Sequence, residues 1–175
     1  DADAEKAAIF RGSAMRAAYL SQDRPDLPYT TRELAKGMKQ PKVRHVTSLK
    51  RLARFLRWRS RLVQTFRRQD LLTTTTTWVD ANHAGCVRTR KSTSGGAIMI
   101  GAHTIRTYSA TQSTVSLSSG EAEYYGLVKG AAAGLGHQAI MNDFGIDMPV
   151  RLWTDSSAAL GIAKRSELGR IRHLD

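Results

Sequence analysis

The chain has 175 residues, room for one ordinary domain or for one compact domain with part of another. Hydrophobic residues at 41% and charged residues at 24% exclude wholesale disorder. No apolar run approaches the roughly 18 residues of a membrane span, and the lone Cys86 excludes an internal disulfide and a thiolate zinc cluster. The net charge of +12 is uneven: residues 1–77 carry 17 Lys or Arg against 7 Asp or Glu, a balance of +10, and the remainder carries 10 against 8. That asymmetry predicts a polyanionic partner for the first half. The opening Asp-Ala-Asp-Ala-Glu-Lys is not a signal peptide. With a single thiol, it fits a reducing, intracellular setting. The chain starts without Met and stops at Asp175 without a tail, and is expected to be a piece of a longer polypeptide.

Residues 5–20 are Ala-rich, with Ile9, Phe10, Met15, Tyr19 and Leu20, and predict a helix ending before Asp23-Arg-Pro25. A short helix is expected over Thr31–Met38, after a Pro28-Tyr-Thr turn. A third is marked by Val46, Leu49, Leu52, Ala53 and Leu56 at helical spacing, with Lys50, Arg51, Arg54, Arg57 and Arg61 over the rest of its surface. Between Glu33 and Asp70 there are 12 Lys or Arg and no acid. Such a run can be a solvated helix face. Its length favours phosphate contact from the basic stretch Lys50 to Arg68, and its narrow apolar stripe suits a protein core better than lipid, so no membrane partner is expected.

Thr73–Thr77 reads either as a linker or, because Thr is β-branched and runs into Trp78 and Val79, as the start of a strand. The domain boundary is placed there, with a helical basic segment over 1–72 and a second domain over 73–175. Thr93-Ser-Gly-Gly96 is a turn signal, Ala97–Ile100 a strand, Gly101-Ala-His103 a tight connection, and Thr104–Ser109 the returning strand of a hairpin. Ser118 to about Asn142 is helical, Val150–Thr154 a strand and Ser156–Arg165 a short helix. The order is that of an α/β domain.

Eight acids occur from Trp78 onward. Asp80 follows the first strand and Asp155 the fourth, and acids at strand ends can share a site at a topological switch point. Each also has a local alternative, Asp80 as the start of an Asp-Ala-Asn turn and Asp155 as a cap for the helix after it. Ser118-Ser-Gly-Glu121 matches a capping box, in which Glu121 reaches back to the Ser118 N–H. Residues two apart on a helix point to nearly opposite sides, so a capping Glu121 leaves Glu123 as the candidate ligand. Clustered carboxylates are the hard oxygen donors that hold Mg²⁺, and a pair of such ions suits phosphodiester hydrolysis.

As an ordered set, Val79-Asp-Ala-Asn-His-Ala-Gly-Cys86, Arg90-Lys-Ser-Thr-Ser-Gly95, Val115-Ser-Leu-Ser-Ser-Gly-Glu-Ala-Glu-Tyr124, Leu152-Trp-Thr-Asp-Ser-Ser-Ala-Ala159 and Arg172-His-Leu-Asp175 resemble the successive motifs of the copia-type retrotransposon ribonuclease H. The resemblance implies a ribonuclease H fold with a mixed five-stranded sheet, three antiparallel strands and then a parallel one, whose last strand falls beyond Asp175. It also implies an endonuclease that cuts the RNA strand of RNA–DNA hybrids, with Asp80, Glu123, Asp155 and Asp175 carrying two Mg²⁺ ions, or Mn²⁺ in their place. His173 matches the terminal motif in a structural role. Arg24-Pro-Asp-Leu27 and Leu49–Leu56 resemble the end of the reverse transcriptase in the same polyprotein, its thumb or connection region. The polymerase Tyr-x-Asp-Asp motif is absent from the chain. The implied partners are the hybrid and the rest of the Pol polyprotein, and the implied location is the cytoplasm, the nucleus or the element's particles. The chain departs from the family at Asn82-His83, where Asp-Trp is usual, and at Ser109-Ala-Thr-Gln112, where lysines are common. An inactive nucleic-acid-binding remnant is the rival reading, and a nuclease acting on duplex DNA a third.

Overall fold

The computed structural model describes residues 2–70 and 72–165. Its elements run α1 (Ala2–Leu20), α2 (Pro28–Ala35), α3 (Val43–Trp58), β1 (Thr75–Asn82), β2 (Thr93–Ile100), β3 (His103–Thr111), α4 (Ser119–Asp143), β4 (Val150–Trp153) and α5 (Ser157–Ala163). Packing divides the chain into two compact units, the first taking the chain up to Arg68 with Thr107–Ser109, the second taking Gln69–Arg106 and the chain from Ala110 on. No described helix is long and apolar enough to cross a membrane.

The first unit closes around Phe10, Ala14 and Ala17 of α1, Leu27 and Leu34 at α2, and Leu52 of α3, with Val46, Leu49 and Leu56 packed against them. Positions 10, 14 and 17 lie on one helical face, and burying that face holds a helix whose Ala-rich sequence supplies propensity but little else. The second helix begins three residues earlier than Thr31 and stops at Ala35 rather than Met38. Pro28 is the cause: its missing N–H and fixed φ suit the first turn of a helix, so it starts α2 instead of a turn before it. The carboxylate of Asp26 accepts two hydrogen bonds from the Arg24 guanidinium, at 2.8 and 3.0 Å. Arg24 also donates to the Arg59 carbonyl just past α3, which satisfies a cation that is only 6% exposed.

In the second unit the sheet order is β3-β2-β1-β4. β1 pairs antiparallel with β2 and parallel with β4, which makes a mixed α/β sheet of three antiparallel strands and one parallel strand. The threonine run ends inside β1, with Thr75 and Thr77 fully buried. Thr93-Ser-Gly-Gly96 is not a turn. The β2 ladder continues through it, with Gly96 opposite Val79 and Gly95 opposite Asp80. The hairpin turn falls at Gly101, whose φ of +57° favours glycine. There the Gln69 side chain donates to the Ile100 carbonyl and accepts from the Ala102 N–H.

α4 lies on β1, β2 and β4, and Val79, Leu127 and Ala159 form the core with Tyr124 and Leu152 against them. Small residues let the helix approach closely. A Cβ on Gly134 would come within 2.6 Å of a Val150 methyl and 3.0 Å of the Thr77 hydroxyl. The fifth strand implied by the resemblance lies outside the described residues.

Candidate metal centre

The parallel ladder between β1 and β4 ends at Trp78 opposite Trp153, whose rings stack at 5.4 Å. β1 continues to Asn82, so its edge beyond Trp78 is left open by the shorter strand. Three acids converge at this opening. Asp80 stands on the extension of β1, Glu123 comes from the start of α4, and Asp155 lies two residues past β4. One carboxylate oxygen from each lies within 4.8 Å of the others.

Local structure fixes each position. Asp80 sits within the strand, not after it, and so starts no turn. The following helix is capped by Ser156, whose hydroxyl accepts from the Ala159 N–H at 3.1 Å, which leaves Asp155 free of that task. The Ser118 hydroxyl accepts from the Glu121 N–H at 3.2 Å. In return the Glu121 carboxylate accepts from the Leu117 N–H at 2.8 Å, one residue before the expected Ser118. Glu121 is 3% exposed and is not among the clustered acids, whereas Glu123 is.

Desolvation raises the Glu123 carboxyl above its ordinary 4.5, the negative charges of Asp80 and Asp155 raise it further, and a hydrogen bond from the Ala81 N–H opposes them. Among the described residues no Lys or Arg forms an ion pair with any of the three acids. Three oxygen donors without a thiolate, imidazole or neutralising cation suit a hard divalent ion such as Mg²⁺. Asp175 and His173 lie outside the described residues. Asn82 packs over the turn: a Cβ on Gly85 would fall 2.6 Å from its amide.

The sequence presented Gln112 only as a departure, and the structure gives it a larger part. Its side-chain amide donates to Ser94 Oγ at 3.0 Å and to the Ala122 carbonyl at 2.8 Å, and accepts from Ser116 Oγ at 2.9 Å. It therefore ties β2 to the first turns of α4, one residue before Glu123. No local pattern marks it, because its partners are spread along the chain.

Lys50, Arg51, Arg54 and Arg57 are exposed on α3, and none of them pairs with an acid among the described residues. Arg61 is exposed too, but α3 stops at Trp58 and the basic stretch beyond it is not helical.

No protein-family model matches the chain, and no solved structure does. It is 30% identical over 123 residues to an uncharacterized mitochondrial protein of Arabidopsis thaliana, which covers 70% of this chain and 51% of that protein. It is 32% identical over 115 residues to the retrovirus-related Pol polyprotein from transposon RE1 of the same plant, over 66% of this chain and 8% of the polyprotein. The chain thus spans about half of the first relative and a small part of the second. By this similarity the chain is homologous to part of a retrotransposon Pol polyprotein.

Proposed function

We propose that the second unit is a ribonuclease H-like nuclease that hydrolyses the RNA strand of RNA–DNA hybrids, as part of a copia-type Pol polyprotein. The observation that carries this reading is the meeting of Asp80, Glu123 and Asp155 from three separate elements. The order of the strands, three antiparallel and then one parallel on the far side of β1, supports it.

Asp80, Glu123 and Asp155 would hold the metal, with Asp175 as the fourth acid. Divalent ions bound there supply a water nucleophilic at neutral pH and offset charge on the scissile phosphate. The residues of the chain do the rest. The three carboxylates would hold the ions, and the Gln112 clamp holds the start of α4 so that Glu123 keeps its place. Contact with 2′-hydroxyl groups selects the RNA strand. The exposed cations of α3 add affinity for backbone phosphates, which falls steeply with salt.

The exposed cations of α3 favour one rival, nucleic-acid binding without cleavage. The test offers labelled hybrid, duplex DNA and duplex RNA in Mg²⁺ to this chain and to one extended past Asp175. Cutting confined to the RNA strand of the hybrid supports the proposal. Cutting of duplex DNA without preference assigns a different nuclease, and binding without cutting by both chains assigns the rival.

A further inference from the structure

The last turns of α3 carry more than charge. Arg51, Arg54, Phe55 and Trp58 are spaced i, i+3, i+4 and i+7, which aligns them along one side of the helix. Trp58 is 74% exposed although it is among the largest apolar side chains of the chain, and Phe55 is 36% exposed. Their rings lie 6.5 Å apart at 55°. The Arg59 guanidinium covers one face of the Trp58 indole at 4.9 Å.

An exposed aromatic row costs solubility unless something covers it, and its surroundings say what does. Arg51 and Arg54 are exposed on the same side, Arg57 and Arg61 are exposed nearby in sequence, and the sequence holds no acid between Glu33 and Asp70. The surface therefore attracts a polyanion that also carries flat apolar faces. Unpaired nucleic acid meets both demands, because its bases stack on aromatic rings while its phosphates meet cations. The bases of a duplex are stacked on one another and cannot offer their faces to an indole. A lipid surface would want a broader apolar stripe than two rings between arginines.

We infer that the Phe55–Trp58 end of α3 is a binding site for single-stranded nucleic acid, with Trp58 as a base-stacking platform and Arg51 and Arg54 as phosphate contacts. This site does not depend on the carboxylate cluster and stands even if the cluster cuts nothing.

The test is fluorescence anisotropy of a labelled oligo(dU) of roughly 16 nucleotides with the full chain in EDTA, which prevents metal-dependent cleavage. Trp58→Ala should weaken binding about tenfold, Trp58→Phe should keep most of it, and duplex DNA should be insensitive to both. Arg51→Ala and Arg54→Ala should each lower the salt slope by about 0.7. Unchanged oligo(dU) affinity in Trp58→Ala, with a circular dichroism spectrum like the parent's, overturns the stacking site. So does an equal loss on single strand and duplex. Binding to anionic phosphatidylserine vesicles that depends on Trp58, when oligo(dU) binding does not, assigns the surface to lipid instead.

Discussion

Glu121 and Glu123 stand two residues apart at the start of α4 and meet different surroundings. Glu121 is buried and bonded to the Leu117 N–H, whereas Glu123 lies with Asp80 and Asp155. The two positions should therefore separate stability from metal binding. Glu121→Ala removes the partner of a backbone donor at a helix start and should destabilise the fold by about 1–2 kcal/mol, while the rise in Tm on adding Mg²⁺ persists. Glu123→Gln should leave metal-free stability unchanged or higher and abolish most of that rise. Thermal unfolding with and without Mg²⁺ reads both.

The raised Glu123 carboxyl gives the metal-free protein a pH dependence of definite sign. A proton held more tightly in the folded than the unfolded state stabilises fully below the unfolded value. That stabilisation is lost as pH rises from the ordinary 4.5 through the raised folded value. Glu123→Gln should flatten this part of the stability profile. Metal binding should strengthen with pH over the same window and release protons, measurable as a buffer-dependent heat in titration calorimetry. A heat independent of buffer at the lower end of that window would count against it.

Two glycines of α4 should respond in opposite ways to alanine. At Gly126 an added Cβ meets the Ala81 Cβ at 3.6 Å, an ordinary contact. Helix propensity then favours Gly126→Ala by up to about 1 kcal/mol. At Gly134 the same atom collides with Val150 and Thr77, so Gly134→Ala should cost about 1–3 kcal/mol by prying α4 from the sheet. Chemical denaturation of the two variants checks the pair.

Gln112→Ala removes the partner of the Ser94 and Ser116 hydroxyls and the second hydrogen bond to the Ala122 carbonyl, and should cost about 1–3 kcal/mol. Its Mg²⁺-induced rise in Tm should shrink as well, because the start of α4 is no longer held to β2. A Gln112→Ala protein with the parent's stability and metal response would show that the clamp does not position Glu123.

The legible parts of this chain were those with local signatures. Alternation and β-branching marked β1 and the β2–β3 hairpin, and the Ser118–Glu121 cap marked where α4 begins and so which glutamate was left over. The two aspartates had local alternatives that the sequence left open. The strand running through Asp80 and the Ser156 cap remove them, and both depend on pairing and packing with distant residues. The Gly95–Gly96 turn signal failed because the ladder with Val79 and Asp80 outweighs the preference of glycine for turns. Gln112 was opaque for a related reason: a buried amide with partners 18, 10 and 4 residues away leaves no periodic trace. The end of α3 at Trp58 was hidden because the arginines after it continue the same composition without continuing the buried stripe.

Asp80, Glu123 and Asp155 are proposed to form one metal-dependent centre acting on hybrid. The most direct measurement compares the parent and Asp155→Asn for cleavage of a hybrid labelled on its RNA strand, with Mg²⁺ and with EDTA. The chain used should be the one extended past Asp175, the proposed fourth acid. The parent should cut the RNA strand in Mg²⁺ alone, and Asp155→Asn should cut none although it still binds the hybrid. Cleavage retained by Asp155→Asn, or cleavage by the parent in EDTA, would contradict it.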